Sequence, residues 1–387
     1  DNAELDFVRG IFPTEWRDAE KNENLNQFPP HHITKRKKKG SDEEIARVPS
    51  SYEGLKSEDT IAMLLGGSGD RLAYAFSRRA EEIGSKVLRI PAFLFKRHRP
   101  NVSKEEDHLL LIALAQAHPE LFYHVGPRDR DFIYARELYR ARRFVQKDRI
   151  RCEQRLRQRF VGQIFLSVEG LYPEGSIEDE FDRVKANDVI LANVLREETQ
   201  HEAQLRAAVR KLDIWQNVFE PVGGCGEVIA VGIITAINDI RNFQVSPDYS
   251  GASTPEEKAR RRNKASDQGA AKLKAFCGVH VLRDGTFARK RKGEVANWNP
   301  EVRQALYQLG QQFVYRPESF WGQKLRQYKQ ALRERHPQVV LVNGKKRYTN
   351  AHIHKMAIWR TLTRFVEWFH SKWTDLELNR QREAEQK

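Results

Sequence analysis

Cysteine is scarce. The 387 residues hold three, Cys152, Cys225 and Cys277, far apart and with no C-x-x-C pair. Neither a disulfide framework nor a cysteine zinc site is therefore expected, and a reducing, cytoplasmic setting fits. Long apolar runs are absent too. The longest, Val228 to Ile237, covers about half of a bilayer crossing, and Asp1-Asn2-Ala3-Glu4 does not read as a signal peptide. The expectation is a soluble protein that makes no membrane contact. No Ser/His/Asp or Cys/His pattern marks a nucleophile. Acid is the scarcer charge: 53 Asp+Glu stand against 67 Lys+Arg, a formal balance of +14, which points to a polyanionic partner. What is present argues for folded cores rather than a disordered basic chain, since 40% of residues are hydrophobic and there are 20 Phe, 11 Tyr and 7 Trp. The length exceeds what one core usually serves, so two or three domains are expected.

The first fifty residues are polar and broken by Pro29-Pro30 and by the run Lys35-Arg36-Lys37-Lys38-Lys39-Gly40. They read as loops around one strand or helix, the run being a solvated loop or a phosphate-contacting arm. Thereafter Ile61-Ala62-Met63-Leu64-Leu65 ends in Gly66-Gly67-Ser68-Gly69. An amphipathic segment follows from Asp70 to Ile83, then the apolar Val87-Leu88-Arg89-Ile90-Pro91. Strand, glycine turn, helix, strand is the βαβ unit of an α/β domain with parallel strands. The turn matches neither G-x-x-x-x-G-K-[ST] nor G-x-G-x-x-G, so nucleotide binding there is not expected. Ser103-Lys104-Glu105-Glu106-Asp107 then opens a helix. A serine with Glu three positions later is a capping box, and carboxylates favour the positive end of a helix dipole. The same three acids, Glu105, Glu106 and Asp107, are also the candidates for holding Mg²⁺ in phosphodiester cleavage.

From Arg128 to Arg159 twelve Lys/Arg face five Asp/Glu with no Gly or Pro, and apolar residues recur at near-helical spacing. From Ile177 to Leu212, Phe181, Val184, Asp188, Leu191, Leu195, Glu198, Glu202, Leu205 and Val209 alternate in steps of three and four, a heptad seam interrupted by acids. Gly170 and Pro173-Glu174-Gly175-Ser176 separate the two, which predicts an antiparallel hairpin or coiled-coil arm. Acids of the second arm can face arginines of the first or those of a partner subunit; a self-contained hairpin and a homodimer joined through it both fit.

Pro221-Val222-Gly223-Gly224-Cys225-Gly226 opens an apolar helix, an arrangement that can offer free N–H groups to a nucleic-acid backbone. A basic loop from Lys258 to Lys264 and a small-residue helix, Ala270 to Gly278, come next. Between Arg283 and Arg347 fifteen Lys/Arg stand against five Asp/Glu, and five tryptophans, Trp298, Trp321, Trp359, Trp368 and Trp373, lie between there and the end. Cations interleaved with aromatics suit phosphate neutralisation with base stacking, although most of these rings are expected in a core. The candidate contacts are Arg140, Arg142, Arg143, Arg260, Arg261, Arg262, Arg289, Lys290, Arg291, Lys292, Lys345, Lys346 and Arg347. His352 and His354 lie two apart at a helix start, wrong for a shared metal, and are expected in satisfied polar roles.

Ile61 to Arg99, Asp107-His108 and Leu138-Tyr139-Arg140-Ala141-Arg142-Arg143 resemble the RuvC-like domain and arginine-rich helix of Piv-type insertion-sequence transposases. Pro221 to Gly226, Asp239 to Phe243, Lys272 to Val279 and Asn299 to Tyr307 resemble that family's C-terminal domain in order and spacing. The departures lie in the family's active sites. Its Glu-Ala-Thr-Gly turn is Gly66-Gly67-Ser68-Gly69 here, its late Asp-x-x-Asp is reduced to Asp107 with Lys104, and Asp284-Gly285 stands where its nucleophilic Ser precedes Gly. The domain order also resembles Nop-domain proteins of box C/D ribonucleoproteins and the TIGR-Tas effectors, compact Nop-domain proteins that use a guide RNA to find DNA. The resemblance implies an α/β plus α fold: a degenerate RNase H-like (RuvC-like) domain over 1–125, a helical arm over 126–215 and a Nop-like nucleic-acid-binding domain over 216–387. It implies guide RNA and target DNA as partners and a prokaryote, or a virus of one, as the source. The alternative is a Mg²⁺-dependent RuvC-like endonuclease or transposase, with an Asp upstream of Asp1 completing the metal site.

Overall fold

The fold is α plus β, with helices dominant and small sheets. The computed structural model describes residues 2–37, 44–65, 69–99, 103–170, 174–282, 286–289, 293, 296–342 and 344–385. Two units, Asp1–Ile133 and Tyr134–Lys387, carry the contacts.

In the first unit α1 (Asn2–Arg9) precedes three antiparallel strands, β1 (Phe12–Asp18), β2 (Thr34–Lys37) and β3 (Glu44–Glu53), in the order β1-β3-β2. The opening residues are thus a sheet, not loops around one element. Prolines at 13 and 49 and mostly exposed strand positions hide the period-two alternation that would reveal it. Lys35, Arg36 and Lys37 belong to β2, where Arg36 pairs with Asp18 at 2.7 Å; Lys38, Lys39 and Gly40 lie outside the described residues.

The expected βαβ unit is present. β4 (Thr60–Leu65), α2 (Gly69–Ile83) and β5 (Lys86–Pro91) follow one another, with β4 and β5 parallel from Thr60↔Lys86 to Leu65↔Pro91. The turn at Gly66-Gly67-Ser68 lies outside the described residues. Period-two alternation sends Ile61 and Met63 to one face with Phe76 and Ala80 of α2, and Ala62 and Leu64 to the other with Phe95 and Leu114. Phe95 lies on α3 (Ala92–Arg97) and Leu114 on α4 (Asp107–Ala117), while β6 (Tyr123–His124) pairs antiparallel with β5. A buried ion pair, Asp70 to Arg89 at 2.9 Å, ties α2 to β5.

α5 (Pro127–Phe165) is a single helix of 39 residues. Its partner segment is two helices, α6 (Ile177–Asn187) and α7 (Val189–Val209). Asp188, which the heptad reading places in the seam, instead caps α7 by accepting from the Leu191 N–H at 2.8 Å. A side chain able to satisfy an orphan N–H stabilises a helix start more than it stabilises an apolar seam. Leu156 of α5, Phe181 and Leu191 form the hairpin's core.

After a π-helical turn at Trp215–Phe219 comes α8 (Glu227–Ile237), most of its apolar residues buried. There follow α9 (Pro255–Cys277), α10 (Pro300–Tyr315), α11 (Phe320–Arg335), the hairpin β7 (Val340–Val342) and β8 (Lys345–Arg347), and α12 (Asn350–Glu385); α10 packs on α8, and α12 packs on α9, α10 and α11. The basic segment 258–264 is therefore helix rather than loop. Thr254 and Glu257 form a capping box, and the stretch shows no apolar face because the first buried side chain arrives only at Ala265. At Gly269 an added Cβ would lie 2.4 Å from the Phe243 carbonyl, so glycine permits that approach. Phe219, Phe313, Phe365, Phe369 and Trp373 are fully buried and Trp321 nearly so, which places two of the five late tryptophans in the core.

Candidate nucleic-acid interface

The three acids considered for Mg²⁺ do not converge. Glu106 accepts from the Ser103 N–H at 3.3 Å, completing the capping box. Asp107 Oδ1 lies 2.7 Å from Arg99 Nε, a close charge contact rather than an aligned hydrogen bond. Glu105 is exposed. Helix capping accounts for Glu106 and one arginine for Asp107.

Most arginines of α5 pair with protein acids. Arg142 donates from Nε to Glu202 at 2.9 Å and stands 3.7 Å from Glu198, with its own side chain only 12% exposed. Arg149 reaches Glu198 at 2.6 Å, Arg143 reaches Glu301 at 2.6 Å and Arg140 reaches Glu137 at 2.6 Å. Arg140, Arg142 and Arg143 thus each meet an acid of the protein, and acids that interrupt the α7 seam sit opposite cations on α5. Burial would raise the Glu202 carboxyl, but hydrogen bonds from Arg206 and Arg142 outweigh it and hold the group below its ordinary range.

The glycine bend is occupied as well. Glu227, first residue of α8, takes Arg206 Nη1 at 2.9 Å and Arg210 Nε at 2.8 Å. Gly224, at φ +90°, packs against Gln312 and Arg316. Glu227 already supplies a carboxylate to the helix start that would otherwise attract phosphate.

Trp298 and Trp359 stack on protein, not in solvent. Arg303 lies over both, 4.4 Å and 4.7 Å from their centroids. No tryptophan is presented as a free stacking platform among the described residues; Tyr307, Tyr315 and Phe320 are the exposed aromatics of α10 and α11.

Cations without acid partners among the described residues gather elsewhere, on α11, β8, the start of α12 and the segment carrying Arg289. A hollow of about 430 Å³ is lined by Arg326, Lys329, Gln330, Arg333, Asn350 and Ile353. Arg326 pairs with Glu318 at 3.3 Å, and Arg333 is spent on the His336 and Tyr348 carbonyls and Asn350 Oδ1. Lys329, Lys346, Arg347, Lys355 and Arg289 are exposed. Beside them His336, Tyr348 and His352 form a near-parallel ring stack, with centroid separations of 3.8 and 5.7 Å, that ties the hairpin to both helices. His352 Nδ1 accepts from the Tyr348 N–H at 3.0 Å, the satisfied polar role expected of it. Burial first, then the charges of Arg289, Arg347, His336 and Lys355, push its pKa down; burial and Lys329 do the same to His354. The charges that add to burial at these two imidazoles are all positive, which marks a local positive field.

No protein-family model matches this chain, and no curated protein matches it. The geometry therefore carries the functional reading. Of the residues singled out by sequence, Arg289 and Arg347 come together beside His352, and Lys346, exposed on β8, alternates to the opposite face from Arg347, while Lys290, Arg291 and Lys292 and the Lys345 side chain lie outside the described residues. Arg260 and Arg262 are exposed on α9, and Arg261 donates to the Ser250 carbonyl at 3.1 Å. Lys329 and Lys355 were not singled out. Neither belongs to a run of adjacent cations, and only the packing of α11 on α12 brings them near His354 and His352.

Proposed function

We propose that this chain is a guide-RNA-binding protein that targets DNA by RNA–DNA base pairing, with the second unit gripping the RNA backbone. The observation that carries the reading is the cluster of Arg289, Lys329, Arg347 and Lys355 around His352 and His354, where cations stand without acid partners among the described residues. Such a cluster neutralises phosphates and reads shape, leaving sequence choice to pairing. In this reading the first unit is a degenerate RNase H-like domain. Its parallel βαβ unit supports that assignment, and the capping role of Glu106, the pairing of Asp107 with Arg99 and the exposure of Glu105 disfavour the Mg²⁺-dependent endonuclease or transposase alternative. The helical arm then serves dimerisation, which the exposed Val189 and Ile190 at the start of α7 favour.

The test is RNA copurification with sequencing, followed by titration of the recovered RNA. Affinity is expected to fall by at least about tenfold between roughly 50 and 200 mM salt. Replacing Lys329, Arg347 and Lys355 together with Ala should flatten that dependence. Protein that carries no RNA, or an affinity indifferent to salt, overturns the reading. Mg²⁺-dependent cleavage of guide-matched DNA, lost in Asp107→Ala, selects the nuclease instead.

A further inference from the structure

In the first unit Asp6, His31 and His32 converge. Asp6 lies on α1, and the two histidines close a single 3-10 turn, Pro30–His32, just before β2. Asp6 and His32 are buried at 2% and 3% exposure. The His31 side chain is 37% exposed, which leaves the cluster one side open to solvent.

Both Nε2 atoms lie 2.9 Å from the same oxygen, Asp6 Oδ2. Here Oδ1 is buried with no hydrogen-bond partner, and so is His32 Nδ1. The rings of two consecutive residues, 4.2 Å apart between centroids, are turned so that their distal nitrogens meet at one point. Side chains of neighbouring residues ordinarily diverge. Pro29 and Pro30 fix the backbone of this turn, and the His32 N–H closes it on the Pro29 carbonyl at 2.9 Å.

We propose that Asp6, His31 and His32 bind a divalent first-row transition metal, zinc being the best match to a two-imidazole, one-carboxylate set. The three ligand atoms lie within 4.8 Å of one another. Metal bonds of about 2.0–2.1 Å in tetrahedral geometry put ligand atoms roughly 3.3 Å apart, so the observed 2.9 Å contacts need open by only a few tenths of an ångström. Two neutral imidazoles and one carboxylate leave a singly positive site, and the open fourth position on the His31 side takes a water. Calcium and magnesium, which prefer all-oxygen shells, are not matched by this donor set. The ion would fasten α1 to the turn that starts β2.

The full chain, stripped with a chelator and dialysed, is titrated with Zn²⁺ against a chromophoric competitor, and separately with Co²⁺ while visible absorption is followed. One ion per chain is expected, with a tetrahedral Co²⁺ spectrum and a rise in melting temperature on zinc addition. His31→Ala removes the half-exposed ligand and is expected to lower zinc affinity by at least about tenfold and to abolish the Co²⁺ band. Circular dichroism checks that it folds. Asp6→Asn should act likewise; if it does not fold, His31→Ala and His31→Gln decide. Binding absent from the wild-type chain, or unchanged in the His31 variants, overturns the proposal and leaves the cluster a histidine–carboxylate pairing only.

Discussion

Arg303 lays its guanidinium over the ring of Trp298, 4.4 Å from the centroid. The same group lies 4.7 Å from Trp359 and donates from Nη2 to the Ala288 carbonyl at 2.6 Å. A cation that sequence composition counts toward nucleic-acid binding is in fact bracketed by two indoles. Its task is to fix the backbone next to Arg289.

Arg303→Ala is therefore expected to cost roughly 2–4 kcal/mol, from two cation–π contacts and one charged hydrogen bond. Arg303→Lys should recover little of it, since a point charge cannot cover two rings and reach the carbonyl as a planar guanidinium does. Urea unfolding of the two variants measures this. A loss within experimental error for Arg303→Ala would show that the bracket is incidental.

A second expectation concerns acid. Burial would raise the Glu227 carboxyl, yet backbone hydrogen bonding and the guanidinium groups of Arg210 and Arg206 outweigh it and hold the group below its ordinary 4.5. The unfolded chain then binds the proton more readily than the folded one. The stability contributed by this group is thus fully present above about pH 4.5 and is lost as pH falls through the lower, folded value. Glu202 and Glu367 are lowered as well and act in the same window. Glu227→Gln should lose roughly 1–2 kcal/mol at neutral pH, through the missing ion pairs and helix-dipole contact. It should also show a shallower decline from pH 6 to pH 3 than wild type in denaturation series. Parallel pH curves for the two proteins would refute the assignment.

What the sequence revealed and what it hid follow from periodicity. The βαβ unit was legible because two apolar runs of strand length flank an amphipathic helix. The acids of α7 were legible as partners for α5 because they occupy seam positions. The antiparallel sheet of the first unit was not, since Lys35, Arg36 and Lys37 resemble a basic loop and Pro13 and Pro49 resemble breaks. Nor were the fates of the arginines. Arg142 and Arg347 look alike in a string of letters, yet one meets Glu198 and Glu202 across a hairpin and the other has no acid partner among the described residues. Long-range pairing decides which cation is spent, and no local pattern encodes it.

The ring stack supplies the sharpest test of the cationic face. His352 is held neutral by burial and by Arg289, Arg347, His336 and Lys355, and its Nδ1 accepts from the Tyr348 N–H. Its folded pKa lies below the ordinary 6.5, so its contribution to stability is complete above that value and fades as pH falls through the folded pKa. A bound phosphate backbone would cancel the positive field of Arg289, Arg347 and Lys355. The His352 pKa should therefore rise on RNA binding, and by linkage RNA affinity should increase as pH is lowered through that range. Following the His352 ring proton by NMR across pH, with and without RNA, reads the shift directly, and His352→Gln should remove the pH dependence of binding while leaving its salt dependence. An imidazole that titrates identically in both states would mean that phosphates do not approach these cations.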